Sequence, residues 1–573
     1  MTIDENGERH RTETPTYNLK GEQGQDRVNW GALGSVSFWA NQRHRITLLG
    51  IHTQLADSTA QLVQGEYASR GASVASANLR YVSRALNVLQ LRGEHDFPEL
   101  NKAELRWFLT YSTASRNEPD TRDTVYQFND ADVSWNGVTT PENGSHFYSN
   151  QTEKTRGGGL DYTQPVLKDP EDLKLKIGGL VTGKARDFAA RRFTLGKVRG
   201  APNDLFLCPG QDYRLNCPEP VYQNENVGTI IDLQETTKPE DAYKASLNIY
   251  AGYLMFDAKV LRDLRVVGGV RMEHTDQTID PYSQFSGGQA PAGAQILSTD
   301  WLPALSATYS ATKSTKLRVA VSETLARPQM RELAPFVFAD FFGAYPISGN
   351  PQLKMTYIKN ADLRFEWFPS VREVLAFSFF YKSFADPIEP YVIPSGTPGI
   401  ISYQNAKGAK LVGLELEARK SLGFLTPKLN DLTFVGNLTL AHSRIQLDNE
   451  DGLTNSTNLS RPMVNQAPYV INLGLDYHNE AAGFDAGLLY NVIGPRIVQV
   501  GTGGLDDTYA QPLNLIDAMI AKEIVKHVTV KLTATNLLNA SVQETIGKSG
   551  RDDRVTLQYR DGRVFTLTGT YTY

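Results

Sequence analysis

Apolar and polar residues alternate with a period of two along most of this chain. One face of the final predicted strand carries Phe565, Leu567, Gly569, Tyr571 and Tyr573, and threonines fill the positions between them. The same alternation runs through 173–182, 414–419, 432–440 and 528–535. Because successive side chains of a β-strand point to opposite faces, the pattern predicts strands with one apolar and one polar face. We find no comparable helical stripe, so the pattern indicates an all-β fold.

The connections between the predicted strands differ in length. Very short polar turns, such as 41–44 and 311–314, alternate with long irregular segments. The long segments run near 117–157, 196–240, 278–298, 327–353, 387–408, 445–466 and 501–511. Short turns on one side and long loops on the other are typical of a transmembrane, antiparallel, up-and-down β-barrel of an outer membrane. A soluble β-sandwich, the alternative, has shorter strands and does not keep its long loops at one end.

The parity of the strands suggests an incomplete barrel. About nineteen strands fit the pattern from Gly31 to Tyr573. With short turns on the periplasmic side, the first strand, 31–40, runs toward the periplasm, and residues 1–30 are predicted to be the remnant of an extracellular loop. Single-chain bacterial barrels have an even number of strands, so we expect about three strands, and everything before them, to be missing from 31–573. The two open edges predict poor assembly of the isolated chain.

Composition excludes several other classes. The 58 Lys+Arg and 63 Asp+Glu residues give a net charge of −5, without the basic excess expected of a general nucleic-acid binder. A mean hydropathy of −0.35 and the lack of a long apolar run argue against a helical membrane protein. The N-terminus carries no signal peptide, which the expected truncation explains.

Several segments resemble, in order and spacing, the TonB-dependent outer-membrane receptors. They are 322–328 with 331–333, 349–354, 380–389, 413–417 and 536–539. The resemblance implies a barrel of 22 strands around an N-terminal plug, which takes up a bulky, scarce ligand such as a ferric siderophore, cobalamin or an oligosaccharide. It also implies coupling to TonB through a plug and TonB box, both expected upstream of Met1. The C-terminal aromatic residues Tyr571 and Tyr573 look like the signal that the barrel assembly machinery reads.

A passive porin-like or structural barrel without energy coupling is the alternative function. We expect no enzymatic activity, no cofactor and no metal site. Residues 546–549 resemble the tail of a phosphate-binding loop, but Val542 occupies the position of its first glycine. The 94–96 segment joins an imidazole to two carboxylates without the spacing of a known metal motif, and 448–452 is an acidic loop that lacks EF-hand spacing.

The stretch 327–346 is the candidate ligand contact. Its candidate residues are Arg327, Arg331, Glu332, Phe336, Phe341 and Tyr345. Aromatic rings give contact area at low entropic cost, and guanidinium groups pair with ligand oxygens, so such a loop suits an amphipathic ligand. Alternatively, these rings pack the loop against its neighbours or lie at the lipid interface.

Two cysteines, Cys208 and Cys217, lie in one Pro- and Gly-containing segment. They form a local disulfide if the compartment is oxidising, and otherwise remain two unpaired thiols.

Overall fold

In a computed structural model of the chain, nineteen antiparallel strands follow one another through a single sheet among the residues that the structure describes. The structure describes residues 2–3, 9–10, 17–67, 72–129, 134–137, 144–167, 169, 171–200, 207–209, 224–338, 346–393, 400–447, 456–548 and 554–572. The first nine strands are β1 (Tyr17–Asn41), β2 (His44–Tyr67), β3 (Ala72–Phe97), β4 (Ala103–Asn129), β5 (Ser145–Pro165), β6 (Leu173–Lys197), β7 (Ala242–Leu261), β8 (Leu264–Pro281) and β9 (Ala294–Thr312). The remaining ten are β10 (Thr315–Ala326), β11 (Thr356–Trp367), β12 (Val374–Ala385), β13 (Gly408–Ser421), β14 (Leu432–Gln446), β15 (Tyr469–Asn479), β16 (Phe484–Ile493), β17 (Leu513–Val525), β18 (Val528–Thr535) and β19 (Val564–Tyr571).

The connections hold the remaining regular elements. Their short strands are Thr2–Ile3, Arg9–His10, Ser134–Gly137, Leu207–Pro209, Ile231–Glu235, Val337–Phe338, Ile347–Ser348, Ile388–Ile393, Ile400–Asn405, Ser460–Arg461, Arg496–Gln499, Thr508–Ala510, Ser541–Ile546 and Val555–Arg560. The α-helix is α1 (Met330–Leu333), and the 3-10 turns are Pro98–Leu100, Asn224–Asn226, Leu422–Phe424 and Pro427–Leu429. In the part of the chain that the structure describes, no helix is long and apolar enough to cross a membrane.

Each strand pairs with the next one along the chain, which confirms the predicted up-and-down topology. Nine connections of two to ten residues, such as 42–43 and 526–527, lie at one end of the sheet. At the other end, the connection 68–71 has four residues, and the remaining connections are longer and reach 44 residues at 198–241. The prediction of about nineteen strands, with the first running into a short turn, is therefore confirmed.

Two predicted boundaries were wrong. β1 begins at Tyr17 rather than at Gly31, because residues 17–30 pair in register with 54–67. The predicted loop 117–157 shrinks to the connection 130–144, because β4 and β5 stay paired through Asn117↔Asn150. Strands β1 to β9 have 18 to 27 residues, whereas β10 to β19 have eight to 15. Since about ten residues cross a bilayer, the first nine strands continue well beyond it.

The register sorts side chains onto the two predicted faces. Leu363, Phe379, Leu414 and Leu440 form one continuous row across β11 to β14. On the opposite face, the Arg364 guanidinium reaches across β12 to the Glu417 carboxylate at 2.7 Å. Long loops fold against this polar face at the β5–β9 end, so it lines the lumen and the apolar face points outward. Six residues of the polar faces predicted in 173–182, 414–419 and 528–535 all lie on it by register: Lys174, Lys176, Glu415, Glu417, Arg419 and Lys531.

β1 and β19 are the edges of the sheet among the described residues, since no register joins them. Both edge strands are exposed on both of their faces, including every residue of β19. Poor assembly of the isolated chain remains a prediction.

Candidate ligand site in the upper lumen

The connection 327–355 folds onto the inner face of the sheet. Its helix α1 contributes Met330 and Leu333, and Phe336 follows; all three are buried with Phe188 on β6 and Tyr243 on β7. The Phe336 ring lies 4.7 Å from that of Phe188, in an edge-to-face arrangement that aromatic pairs favour. The long strands thus supply an apolar floor that the loop covers.

Arg192, on the inner face of β6, holds this loop in place. Its Nε donates a hydrogen bond at 2.9 Å to the fully buried carboxylate of Asp241. A second guanidinium nitrogen donates to the backbone carbonyl of Val337 in the loop. The guanidinium also lies 5.0 Å from the centre of the Phe147 ring and 5.3 Å from that of Phe336. One cation therefore joins two strands and the loop.

The start of the loop is fixed by two polar contacts. The Arg327 guanidinium bonds the Glu273 carboxylate and, at 3.0 Å, the Thr275 hydroxyl on β8. The backbone N–H of Gln329 donates to Glu332 at 2.8 Å, which satisfies a free amide at the first turn of α1. Burial raises the pKa of the Glu332 carboxyl, although this hydrogen bond opposes the shift.

The connection 386–407 packs beside 327–355, and together they cover the upper end of the lumen; we call them the cover. The Asn350 side chain donates to the backbone carbonyl of Tyr403 at 2.8 Å, and the Lys354 N–H donates to Asn405. At its other end, Glu389 pairs at 2.9 Å with Arg461, and both side chains are almost fully buried. Burial raises the pKa of Glu389 even beside this charge. Three connections, 327–355, 386–407 and 447–468, therefore form one cross-linked unit over the lumen.

Below this cover, the lumen wall carries carboxylates that are each shared by two cations. We call each such set of three side chains a triplet. The triplets include Asp57 with Arg27 and Arg84, Glu118 with Arg80 and Arg116, Glu153 with Lys184 and Arg186, and Glu273 with Arg271 and Arg327. Glu366 with Arg318 and Arg364 is another, in which Arg364 also pairs with Glu417. Two positive charges and one negative charge leave each triplet with a charge of +1 by itself.

The Asp57 and Glu153 triplets keep donors available toward the lumen. An arginine has five N–H donors, and the contact of Arg84 with Asp57 uses one terminal nitrogen at 2.7 Å. Lys184 is 34% exposed and has three donors, of which one faces Glu153 at 3.1 Å. The upper lumen therefore presents cationic donors beside an aromatic cluster, which is the chemistry that an anionic, partly aromatic ligand needs.

The structure brings only some of the predicted ligand residues together. Arg327 and Phe336 contact neighbouring strands rather than open space, as the alternative interpretation of this loop expected. The Arg331 guanidinium lies 5.5 Å from the centre of the Phe336 ring. Phe341 and Tyr345 lie outside the described residues, and ligand contact by this stretch stays a prediction.

The remaining predicted features are the 94–96 segment, the C-terminal aromatic residues, the two cysteines and the acidic loop. His95 accepts from the Trp107 indole N–H at 3.0 Å, and Glu94 pairs with Arg45 at the end of β3. Tyr571 pairs with Val528 on the outward face. The side chains of Cys208, Cys217, Tyr573 and 448–452 lie outside what the structure describes.

Sequence reasoning missed the triplets. Partners such as Arg80 and Glu118 lie 38 positions apart and meet only because β3 pairs with β4. The available signal was a charge at every second position on the polar face of adjacent strands, which requires the register to be known.

The family model for TonB-dependent receptor-like β-barrels matches residues 12–537. The chain belongs to this family. It is accordingly an outer-membrane protein, a receptor and transporter barrel. A comparison of the sequence with curated proteins found no match.

Solved structures of similar architecture support the fold. The ferric yersiniabactin uptake receptor FyuA from Yersinia pestis is 12% identical, with a TM-score of 0.56 over 98% of this chain and 81% of that one. The siderophore receptor PiuA from Acinetobacter baumannii is 11% identical, with a TM-score of 0.60 over 97% of this chain and 80% of that one. The copper transporter OprC is 15% identical, with a TM-score of 0.57 over 96% and 80%.

Proposed function

We propose that the chain takes up an anionic metal chelate, of the ferric siderophore class, through TonB-coupled transport. The single observation that supports the ligand class is the pair of +1 triplets at Asp57 and Glu153 in the upper lumen. Neighbours in fold include proteins named as siderophore receptors and a copper transporter, which agrees with a metal-containing ligand. Family membership favours this receptor over the porin-like barrel without energy coupling.

A barrel in the outer membrane would have three further partners besides its ligand. TonB would supply energy, the barrel assembly machinery would insert the strands, and outer-membrane lipid would cover the outward apolar rows. The proposal assigns ligand transport to the chain and no catalytic reaction. The cover formed by 327–355 and 386–407 would have to shift or present its own surface when ligand binds.

An uptake assay tests the proposal. Cells lacking the gene, and the same cells complemented with it, receive radiolabelled ferric complexes of catecholate, hydroxamate and carboxylate chelators. We expect complementation to restore uptake of at least one complex, and collapse of the proton gradient to abolish that uptake. Restored uptake that persists without the gradient or without TonB would support a passive barrel instead.

A matched pair of variants tests the role of the triplets. Replacing Lys184, Arg186 and Glu153 together by glutamine removes one triplet and one net positive charge. The control, Lys154→Gln, removes one positive charge from the outward face of β5 next to Glu153. Charged hydrogen bonds contribute about 1.5–3 kcal/mol each, so losing one ligand contact should raise the apparent KM about tenfold or more. Equal effects of the two variants would reject the triplet as a ligand contact.

A further inference from the structure

Three cations lie in one row on the outward face of β11 to β14. The register pairs Lys359 with Ser383, Ser383 with Lys410, and Lys410 with Arg444. We call Lys359, Lys410 and Arg444 the cationic row. Lys410 and Arg444 are direct neighbours, about 5 Å apart at Cα, and Lys359 lies two strands from Lys410, about 10 Å away.

The cationic row points away from the lumen. Its outward direction follows from Ala409, which is buried in a loop-side cluster with Ile445 and Leu447, so the adjacent Lys410 points to the other face. Below the row, the same strand faces carry Tyr381, Val412 and then Phe379, Leu414 and Leu440. The cations therefore continue the surface that meets lipid.

The height of the row matches the outer surface of the membrane. Counted from the short-turn end of each strand, Lys359 is the ninth residue of β11, Lys410 the twelfth of β13 and Arg444 the thirteenth of β14. A tilted strand of about 9–11 residues crosses the hydrocarbon layer. The cationic row thus lies where the apolar layer ends and lipid headgroups begin, a level at which long basic side chains extend to the polar zone.

The charges in the row are available. All three side chains are exposed, and among the described residues none of them forms an ion pair. The Nε of Arg444 donates a hydrogen bond to the Ser460 hydroxyl at 2.9 Å. This contact orients the guanidinium and leaves its two terminal nitrogens for a ligand. The positive surface ends at β10, where Glu323 lies directly opposite Lys359 of β11.

We propose that Lys410 and Arg444, extended by Lys359, bind the phosphate of a membrane lipid whose acyl chains lie on the apolar rows below. Two cations side by side suit a phosphate, since a guanidinium and an ammonium can each donate to a different oxygen. The half-buried Ser383 and the exposed Ser460 beside them add hydroxyl donors. The apolar rows select a lipid over a free phosphate, because they bury chains that a soluble headgroup lacks.

Lipid retention measured by native mass spectrometry tests this site. The protein, isolated from outer membranes in neutral detergent, is titrated with dioleoyl phosphatidic acid or with dioleoylglycerol, which lacks the phosphate. The test variant is Lys410→Gln with Arg444→Gln. The control is Lys354→Gln with Lys548→Gln, two exposed loop lysines at the same end of the sheet. Resistance to protease and β-sheet circular dichroism establish that all variants are folded.

We expect the wild-type protein and the control to retain phosphatidic acid over dioleoylglycerol. The test variant should retain it about thirtyfold less, because two basic contacts at the membrane surface are lost. The exchanged variant, Lys410→Arg with Arg444→Lys, should retain it. Equal loss in the control, or unchanged retention in the test variant, would overturn the site. Glycerol phosphate bound as tightly as phosphatidic acid would overturn the assignment to a lipid.

Discussion

Arg192 offers a sharp test of how the loop cover is held. Changing Arg192 to methionine leaves the Asp241 carboxylate buried at 0% exposure without its cation. Breaking a buried ion pair costs about 3–5 kcal/mol, and because the Arg192 side chain is 25% exposed, we take about 3 kcal/mol. The contacts to Val337 and Phe336 disappear as well. We therefore expect the free energy of opening the 327–355 connection to fall by about that amount.

Amide hydrogen exchange measures this opening. The N–H groups of Leu333, Ala334 and Asn350 donate at 3.2, 3.1 and 2.6 Å within the connection, so their protection reports its closure. A loss of about 3 kcal/mol lowers protection about a hundredfold. Arg191→Met, which breaks an exposed pair with Glu235 on the outward face, should leave protection unchanged. Arg192→Met combined with Asp241→Asn should recover most of it. Unchanged protection in Arg192→Met, or no recovery in the double variant, would refute the reasoning.

Three further predictions concern packing and pH. Leu333→Ala, at a side chain with 0% exposure, should cost about 2–5 kcal/mol and lower protection of the Ala334 amide, as measured by the same exchange experiment. Gly413→Ala places a Cβ 2.2 Å from the Phe380 ring and 2.7 Å from a backbone oxygen, so the urea midpoint in vesicles should fall by the equivalent of about 1–3 kcal/mol; an unchanged midpoint would contradict this. Because burial raises the pKa of Glu332, its folded form binds a proton more tightly than its unfolded form, so the connection should be most stable below the unfolded pKa and lose stability as pH rises through the folded pKa. Glu332→Gln should abolish that part of the pH dependence, measured by exchange corrected for the intrinsic rate.

The strands and their faces could be predicted because lipid imposes a simple pattern. Inside the membrane, every outward residue must be apolar and every inward residue meets water, so Val530, Leu532 and Leu567 alternate with threonines and Lys531. Beyond the membrane both faces meet water, and this signal disappears. That is why the sequence pattern predicts loops at 17–30 and 117–129 although their backbone ladders continue.

The site could be predicted only in part, because its contacts join residues that are distant in the sequence. The pattern of Arg and Phe in 327–346 indicated an important loop, yet it could not tell ligand contact from packing. Phe336 meets Phe188, and that contact depends on how the whole connection folds back onto β6. Similarly, Glu153 and Arg186 become partners only through the register of β5 with β6.

The most direct test of the two-faced sheet is a spin-label scan along β13 in membranes. Labels at Leu414 and Leu416 should be accessible to oxygen dissolved in lipid, whereas labels at Glu415 and Glu417 should be accessible to a water-soluble nickel chelate. The account predicts this alternation with a period of two. Equal accessibility at all four positions, or an inverted pattern, would contradict it.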